Sequence, residues 1–420
     1  MNRVRNSIRR IVGAVAAAAA LVACQVGTPT ASIVAHQSAR QALPGQAARI
    51  VPGRTIVRFQ HGRLGAGLSS LGPSVRGHVE SLGIAIVDTT DARAVRTLAD
   101  LRGAGAIVYA EPETVVSCKL ALSHPMASRQ GGLRSVGAPR AWDLTRGRPE
   151  VVVAVLDTGI DLEHPDLRAR LVPGISFVPG TFSPQDDHGH GTHVAGIVGA
   201  EPLTPEGAMG IAPGCRLMPV KVLDAQGSGT TSRICQGIVW AVDHGARVLN
   251  LSLGGAGGGK SLEAAVAYAI SRGVVVVAAM GNEGANIQEY PAGYPGVIAV
   301  GATDDGGRVA SFSNIGRWIS LSAPGSDIYS TMPMRTFTLL SEDPGAAPGH
   351  GVLSGTSMAT PFVTGVAALM ISLQPTLTPD LVRARLERTA QDLATPGFDT
   401  ATGFGLVQAD LALGLSRGLP

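Results

Sequence analysis

Three short segments carry side chains whose types, taken together, could do chemistry. Asp157 lies in Val155-Leu156-Asp157-Thr158-Gly159-Ile160-Asp161, His190 in His188-Gly189-His190-Gly191-Thr192-His193-Val194-Ala195-Gly196, and Ser357 in Gly355-Thr356-Ser357-Met358-Ala359-Thr360-Pro361. A serine hydroxyl is a poor nucleophile at neutral pH. It needs a base to take its proton, and the base needs a group to orient it. The chain supplies all three, each in a glycine-rich frame that exposes the reactive side chain. The chemistry this points to is nucleophilic hydrolysis by serine.

These residues need a scaffold, and the hydrophobic pattern supplies one. Val151 to Leu156 is a continuous apolar run with β-branched residues, as in a parallel strand buried on both faces. Further strands are expected at Leu217 to Val222, Val248 to Leu253, Val274 to Ala279 and Val297 to Val300. Helices are expected at Ser232 to His244, Leu262 to Arg272 and from Met358 to about Leu373. Strands alternating with helices predict an α/β domain, a three-layer sandwich with a mostly parallel central sheet, over residues 119–420. Asp157 then sits at the carboxyl end of a strand, the usual ligand edge of such a sheet. Ser357 opens the long apolar helix, where free N–H groups favour developing negative charge. Pro361 falls near that helix start, where a missing N–H does least damage.

Composition excludes several classes. The 420 residues are 45% hydrophobic and only 15% charged, enough for one large domain and smaller pieces. The formal charge of +3 is uneven, because residues 119–420 carry −4. No basic patch argues for a nucleic-acid partner. Residues 1–24 read as a signal peptide: Arg3, Arg5, Arg9 and Arg10 precede an apolar run from Ile11 to Ala23 that is short for a membrane span. An exported protein is therefore expected. Residues 25–50 read as a spacer, and residues 51–118 as a small α+β unit with strands at Thr55 to Phe59 and Ala106 to Ala110 and a helix at Ala92 to Leu101. Cys215 and Cys235 either pair across a loop or remain two buried thiols; their separation does not decide.

The motifs around Asp157, His190 and Ser357, with Asn250-Leu251-Ser252-Leu253-Gly254 and Ala279-Met280-Gly281-Asn282-Glu283-Gly284, occur in an order that resembles the subtilisin-like serine endopeptidases, the subtilases. The resemblance covers residues from about 128 to 412. It implies Ser357 as nucleophile, His190 as general base and then acid, Asp157 as its orienter, and Asn282 with the Ser357 N–H as the oxyanion hole. His193 is expected to be a packed helix residue, and His188 a loop residue. The resemblance also places an extended polypeptide substrate between Gly227-Ser228-Gly229 and Ser252-Leu253-Gly254. Glu289, just before Tyr290-Pro291-Ala292, falls in a shortened loop. It either turns to solvent or lies at the base of the primary specificity pocket, where a carboxylate would favour Lys or Arg in the substrate.

No cofactor is implied for the chemistry. Asp166, nine residues after Asp157, matches a family calcium ligand, although Pro202 to Gly210 offers few further oxygen ligands for a structural calcium ion. Asp186-Asp187 reads as a surface turn. Asn250 fits a glycosylation pattern but falls in a buried strand, so it is set aside. Residues 51–118 resemble the family's propeptide, an intramolecular inhibitor and chaperone cut near Cys118. Leu21-Val22-Ala23-Cys24 resembles a bacterial lipobox, which implies a lipid on Cys24 and an envelope lipoprotein precursor; the alternative is an ordinary secretory signal with an incidental cysteine. Together these predict a membrane-bound precursor and a soluble, monomeric mature enzyme. A catalytically inactive binding protein on the same fold would show a damaged triad or oxyanion position, and here all four residues are present. The segment from Arg335 to Gly351 is longer than the family core needs.

Overall fold

The structure, a computed structural model, describes residues 50–79, 83–114, 130–204, 206–229, 231–255 and 260–416. The expectations for Cys24, the signal and spacer segments and Cys118 fall outside them. The chain divides into two compact units, Met1–Ser117 and Cys118–Pro420.

In the first unit the order is β1 (Ile50–Phe59), α1 (Leu64–Leu71), β2 (Val75–Val79), β3 (Ile84–Asp88), α2 (Ala92–Gly103) and β4 (Ile107–Thr114). The sheet is antiparallel with strand order β2-β3-β1-β4. This is a split βαββαβ arrangement. Its small core gathers Val57, Phe59, Leu71, Ala85, Val87 and Ala94. Asp91 caps α2 by accepting from the Arg93 N–H at 2.8 Å. The sequence pattern missed α1, β2 and β3, because Leu64–Leu71 is rich in glycine and serine and Val75–Val79 contains Gly77 and His78.

The second unit begins with the short helices α3 (Gly131–Ser135) and α4 (Ala138–Ala141). Then follow β5 (Val152–Asp157), β6 (Ile175–Ser176), α5 (His190–Gly199), β7 (Arg216–Lys221), α6 (Thr231–Asp243), β8 (Ala246–Leu251), α7 (Lys260–Ser271), β9 (Val275–Ala279), β10 (Ile298–Thr303) and β11 (Leu321–Pro324). A two-stranded ribbon, β12 (Ile328–Thr331) with β13 (His350–Leu353), brackets α8 (Leu339–Glu342). The long α9 (Thr356–Leu373), α10 (Pro379–Thr389) and α11 (Ala409–Ala412) complete the unit. The seven-stranded sheet has the order β11-β10-β9-β8-β5-β7-β6, and every pairing in it is parallel.

Alternation along β5 builds two cores. Val153 and Val155 face α5 and α9, and Ala154 and Leu156 face the opposite layer with α6 and α7. These are the three layers expected. α9 is apolar and long enough by composition to cross a bilayer, but it is buried within this unit against β8, β9 and β10. Pro361 lies well inside α9 rather than at its start. A proline has no N–H to offer the carbonyl four residues back, and that carbonyl belongs to Ser357.

The same alternation settles the cysteines. Cys215 is fully buried in the α9-side core, beside Ser372, and Cys235 is half-buried against the opposite core. Both are free thiols, and the sheet separates them. Burial pushes both thiols up, the more enclosed Cys215 included. Alkylation of the native protein should therefore label Cys235 and spare Cys215 until the protein is unfolded, as peptide mass spectrometry would read; a crosslinked Cys215–Cys235 peptide would contradict this topology.

Candidate active site

β5 ends at Asp157, and α5 begins at His190, so the sheet edge and the helix start present the two side chains to each other. Asp157 is completely buried. Its Oδ1 accepts from the Thr158 N–H at 2.8 Å and from His190 Nδ1 at 2.8 Å. A carboxylate can only accept, so His190 carries its proton on Nδ1 and leaves Nε2 as the basic nitrogen. The close approach needs a glycine at 191, because any Cβ there would collide with the Gly159 carbonyl.

Asp186 fixes the turn into α5. Its Oδ1 accepts from Thr158 Oγ1 at 2.8 Å and from the His188 and Gly189 N–H groups at 3.0 and 2.9 Å. Its Oδ2 accepts from the Thr192 N–H at 2.9 Å and Thr192 Oγ1 at 2.6 Å. This corrects the reading of Asp186 as part of a surface turn: it is buried, and it supplies the acceptor that α5 lacks at its glycine cap. Only Asp187 reaches solvent, and it pairs with Lys221 at 2.7 Å. Lys221 is itself buried and also donates to the Thr158 and Leu223 carbonyls, at 2.5 and 3.0 Å. Sequence reasoning missed its part; the signal was a lysine inside the apolar run Leu217 to Val222.

Burial disfavours the His190 imidazolium, but the Asp157 charge and hydrogen bond, joined by Asp186, outweigh it and hold the pKa above 6.5. His193, one turn along α5, is buried with Nε2 donating to the Ile328 carbonyl at 2.9 Å. Burial, with the nearby His190 adding, pushes it down to about 3. It is the packed histidine that was expected. His188 lies in the loop before α5, as expected; there it packs against Gly227, accepts from the His190 N–H at 3.3 Å and lines the cleft.

Ser357 is the second residue of α9. The carbonyl freed by Pro361 accepts from Ser252 Oγ at 2.7 Å, and Asn250 Nδ2 in turn donates to Ser252 Oγ at 2.9 Å. Thr364, one turn beyond Pro361, donates to Asn250 Oδ1 at 2.8 Å. Asn250 is thus fully buried and occupied, which agrees with setting aside its glycosylation pattern. The Ser357 hydroxyl donates to the Ser252 carbonyl at 3.1 Å. Asn282 is aimed by Thr356, whose N–H and Oγ1 donate to its Oδ1 at 2.8 and 2.9 Å. With the oxygen fixed, Nδ2 faces Gly355 beside the Ser357 N–H. Two donors thus converge next to the hydroxyl. Thr356 was not singled out by the sequence reasoning.

His190 and Ser357 share a cleft of about 480 Å³ with Gly227, Ser228, Gly229, Ser252, Leu253 and Gly254. The 227–229 segment is a turn held by Asp224, which accepts from the Gly227 and Ser228 N–H groups. Glu289 is placed between Gly254 and Gly281, the residue before Asn282. A methyl group on Gly254 would lie 2.8 Å from its Oε2, and one on Gly281 would lie 2.7 Å from it. Glu283 Oε2 would be 2.9 Å from the same Gly281 methyl and accepts from Asn314 Nδ2 at 2.6 Å. Burial and the Glu283 charge push the Glu289 carboxyl up.

Asp166 does not fit a calcium ion. His350 Nε2 donates to its Oδ2 at 2.8 Å, the Ala208 N–H to the same oxygen at 3.0 Å, and the Leu203 N–H to Oδ1 at 3.1 Å. A calcium ion needs six to eight oxygens, and here both carboxylate oxygens face N–H donors. Among the described residues no cluster of three or more His, Cys, Asp or Glu side chains is arranged to hold a metal. The expectation for Asp166 is therefore corrected: three donors already compensate it.

The profile of the subtilase family matches residues 148–405. Thermitase of Thermoactinomyces vulgaris is 43% identical over 277 residues, 66% of this chain and 94% of that protein. Subtilisin Savinase of Lederbergia lenta is 46% identical, over 67% of this chain and 97% of its own length. Among solved structures, fervidolysin of Fervidobacterium pennivorans, described as a keratinolytic enzyme related to subtilisin, aligns at a TM-score of 0.63 with 29% identity, covering 89% of this chain and 62% of that one. A cold-adapted subtilisin-like serine proteinase aligns at 0.54 with 36% identity, over 62% of this chain and 88% of its own. With the matched profile spanning more than half of its length and relatives matched almost end to end, this chain belongs to the subtilase family and is a subtilisin-type serine endopeptidase.

Proposed function

We propose that Ser357, His190 and Asp157 form the working triad. The observation that carries this is the Asp157–His190 hydrogen bond, which orients the imidazole in the cleft that Ser357 lines. Ser357 Oγ attacks the scissile carbonyl carbon as its proton passes to His190 Nε2. The oxyanion is held by Asn282 Nδ2 and the Ser357 N–H. His190 then protonates the leaving amine, and water repeats the cycle on the acyl-enzyme. The substrate lies as an extended strand between Gly227-Ser228-Gly229 and Ser252-Leu253-Gly254. A substrate N–H that takes the Ser252 carbonyl displaces the Ser357 hydroxyl from it and frees that proton for His190. The inactive-binder reading has no observation in its favour.

Glu289 is the second part of the proposal. Its carboxylate, with Glu283 beside it, lies in the slot between the Ser252–Gly254 edge and Asn282, so it favours Lys or Arg at the residue whose carbonyl is attacked. The N-terminal unit is proposed to be an inhibitory propeptide, supported by its βαββαβ order and by a likeness to fervidolysin that extends beyond residues 118–420. The cut falls near Val115-Val116-Ser117. With a lipid on Cys24, the precursor is membrane-bound, and self-cleavage releases its catalytic unit as a soluble, monomeric enzyme.

Four outcomes are expected. Casein cleavage by the parent is lost in Ser357→Ala, which also accumulates uncut and, if Cys24 is lipidated, in the membrane fraction; normal maturation of that variant in a protease-free host would refute self-cleavage. Asn282→Ala lowers kcat by about 10²–10³-fold with KM little changed, a magnitude carried over from the same donor in a subtilisin. The base must be neutral to act, so kcat/KM falls as pH drops through a midpoint above 6.5; Asp186→Asn removes a charge that raises this pKa and moves the midpoint down. Finally, the ratio of kcat/KM for Lys over Phe peptides drops by about tenfold in Glu289→Gln, the worth of one partly desolvated ion pair. An unchanged ratio would place Glu289 outside substrate recognition.

A further inference from the structure

Subtilases often bind structural calcium, and the residue matched to such a ligand here is compensated by protein instead. We propose that the segment 334–350 is a strap that takes the place of the ion, tying the loop 201–208 to the body of the catalytic unit without metal.

The strap is fastened at both ends. At its start, the Met334 N–H donates to Asp161 Oδ2 at 2.9 Å, the Thr338 N–H to the Asp187 carbonyl at 3.1 Å, and the Leu339 N–H to the His188 carbonyl at 3.0 Å. Phe337 is buried against Gly189, next to His190. At its end, Gly349 and His350 meet the Asp166 loop. His164 Nε2 donates to the Gly349 carbonyl at 2.8 Å, and its Nδ1 accepts from the Asp166 N–H at 3.1 Å. One ring nitrogen donating and the other accepting fixes His164 as the neutral imidazole, and burial lowers its pKa in the same sense.

His350 is the knot. Its ring is stacked with Tyr329 at 5.7 Å and set edge-on to His164 at 5.3 Å, while Nε2 donates to Asp166 Oδ2. Tyr329 reaches past it to donate to the Glu206 carbonyl at 2.7 Å. Among the described residues of the loop, Asp166 holds the Leu203 and Ala208 amides, Tyr329 holds the Glu206 carbonyl and Arg170 pairs with Glu201, while His350 holds Asp166 itself. A cation would have to expel His350 and turn two amides away before it could bind. Burial works against the Asp166 charge, but His350 and the two amides outweigh it and hold the carboxyl below the usual range. The site keeps the carboxylate of a calcium site and replaces the ion with N–H donors.

The test is thermal unfolding of the full chain carrying Ser357→Ala, which prevents self-digestion. It is followed by tryptophan fluorescence, since Trp142, Trp240 and Trp318 all lie in the catalytic unit. His350→Ala should lower the midpoint by about 3–8 °C, equally in excess calcium and in EDTA. His350→Gln, which keeps an N–H donor, should lose less. Any calcium response of the parent should persist in Asp166→Asn, since it would arise at another site. Two results would overturn the proposal: a calcium-dependent midpoint that Asp166→Asn abolishes, or a His350→Ala midpoint equal to the parent's. If His350→Ala does not fold, crystals of the parent soaked in calcium decide. A cation about 2.3–2.6 Å from Asp166 Oδ2 refutes the strap, and an intact His350 bond supports it.

Discussion

The catalytic unit is organised around one costly placement, a carboxylate at 157 with no exposure to water. An ionised carboxylate in such a place needs donors to offset its lost hydration. The chain provides two, one from each side of the β5–α5 junction and both to Oδ1, while the buried Oδ2 has no donor among the described residues. Thr158 turns its N–H back onto Asp157, and His190 comes forward from α5. Around this pair Asp186 collects five donors from Thr158, His188, Gly189 and Thr192, and Lys221 collects carbonyls from Thr158 and Leu223. The two buried side chains are complementary: one satisfies N–H and O–H groups, the other satisfies carbonyls. Together they fix the turn that carries His190.

The nucleophile depends on a second departure from regular structure. Pro361 inside α9 breaks the hydrogen-bond ladder at the Ser357 carbonyl. The freed carbonyl accepts from Ser252, and this bond begins a chain through Asn250 to Thr364 that fastens the helix to β8. A helix defect thus positions the Ser357 hydroxyl against the Ser252 carbonyl, just after β8. Thr356 does the corresponding work for Asn282. It grips the amide oxygen with two donors, so that the nitrogen is turned toward Gly355 and the Ser357 N–H.

Much of this was legible in the sequence because it is local. Strand β5 is an apolar run of a kind that only a parallel sheet buries, and Asp157 follows from its end. The motifs around His190 and Ser357 announce helix starts. Contacts that join distant segments left weaker marks. Asp186 read as a surface residue because an acidic pair beside glycine usually is one, and its donors lie as far away as Thr158. Lys221 was hidden by the strand around it. His350 lies 184 residues from Asp166, so no spacing rule could pair them, and the resemblance pointed to a metal there. Pro361 was seen, but its consequence depends on where Ser252 stands in three dimensions.

The carboxylates near the cleft also say which one is incomplete. Asp157 has an imidazole and an amide, Asp186 has five donors, and Asp166 has an imidazole and two amides. Glu283 has the Asn314 amide. Among the described residues no hydrogen bond or ion pair reaches the Glu289 carboxylate, and its nearest charge is the like charge of Glu283, which with burial raises its pKa. Each of those four has at least one donor, whereas Glu289 has none among the described residues and lies close to Gly281, the residue before Asn282. Under the proposed reading, the lysine or arginine side chain of a bound peptide is the cation that completes the pair.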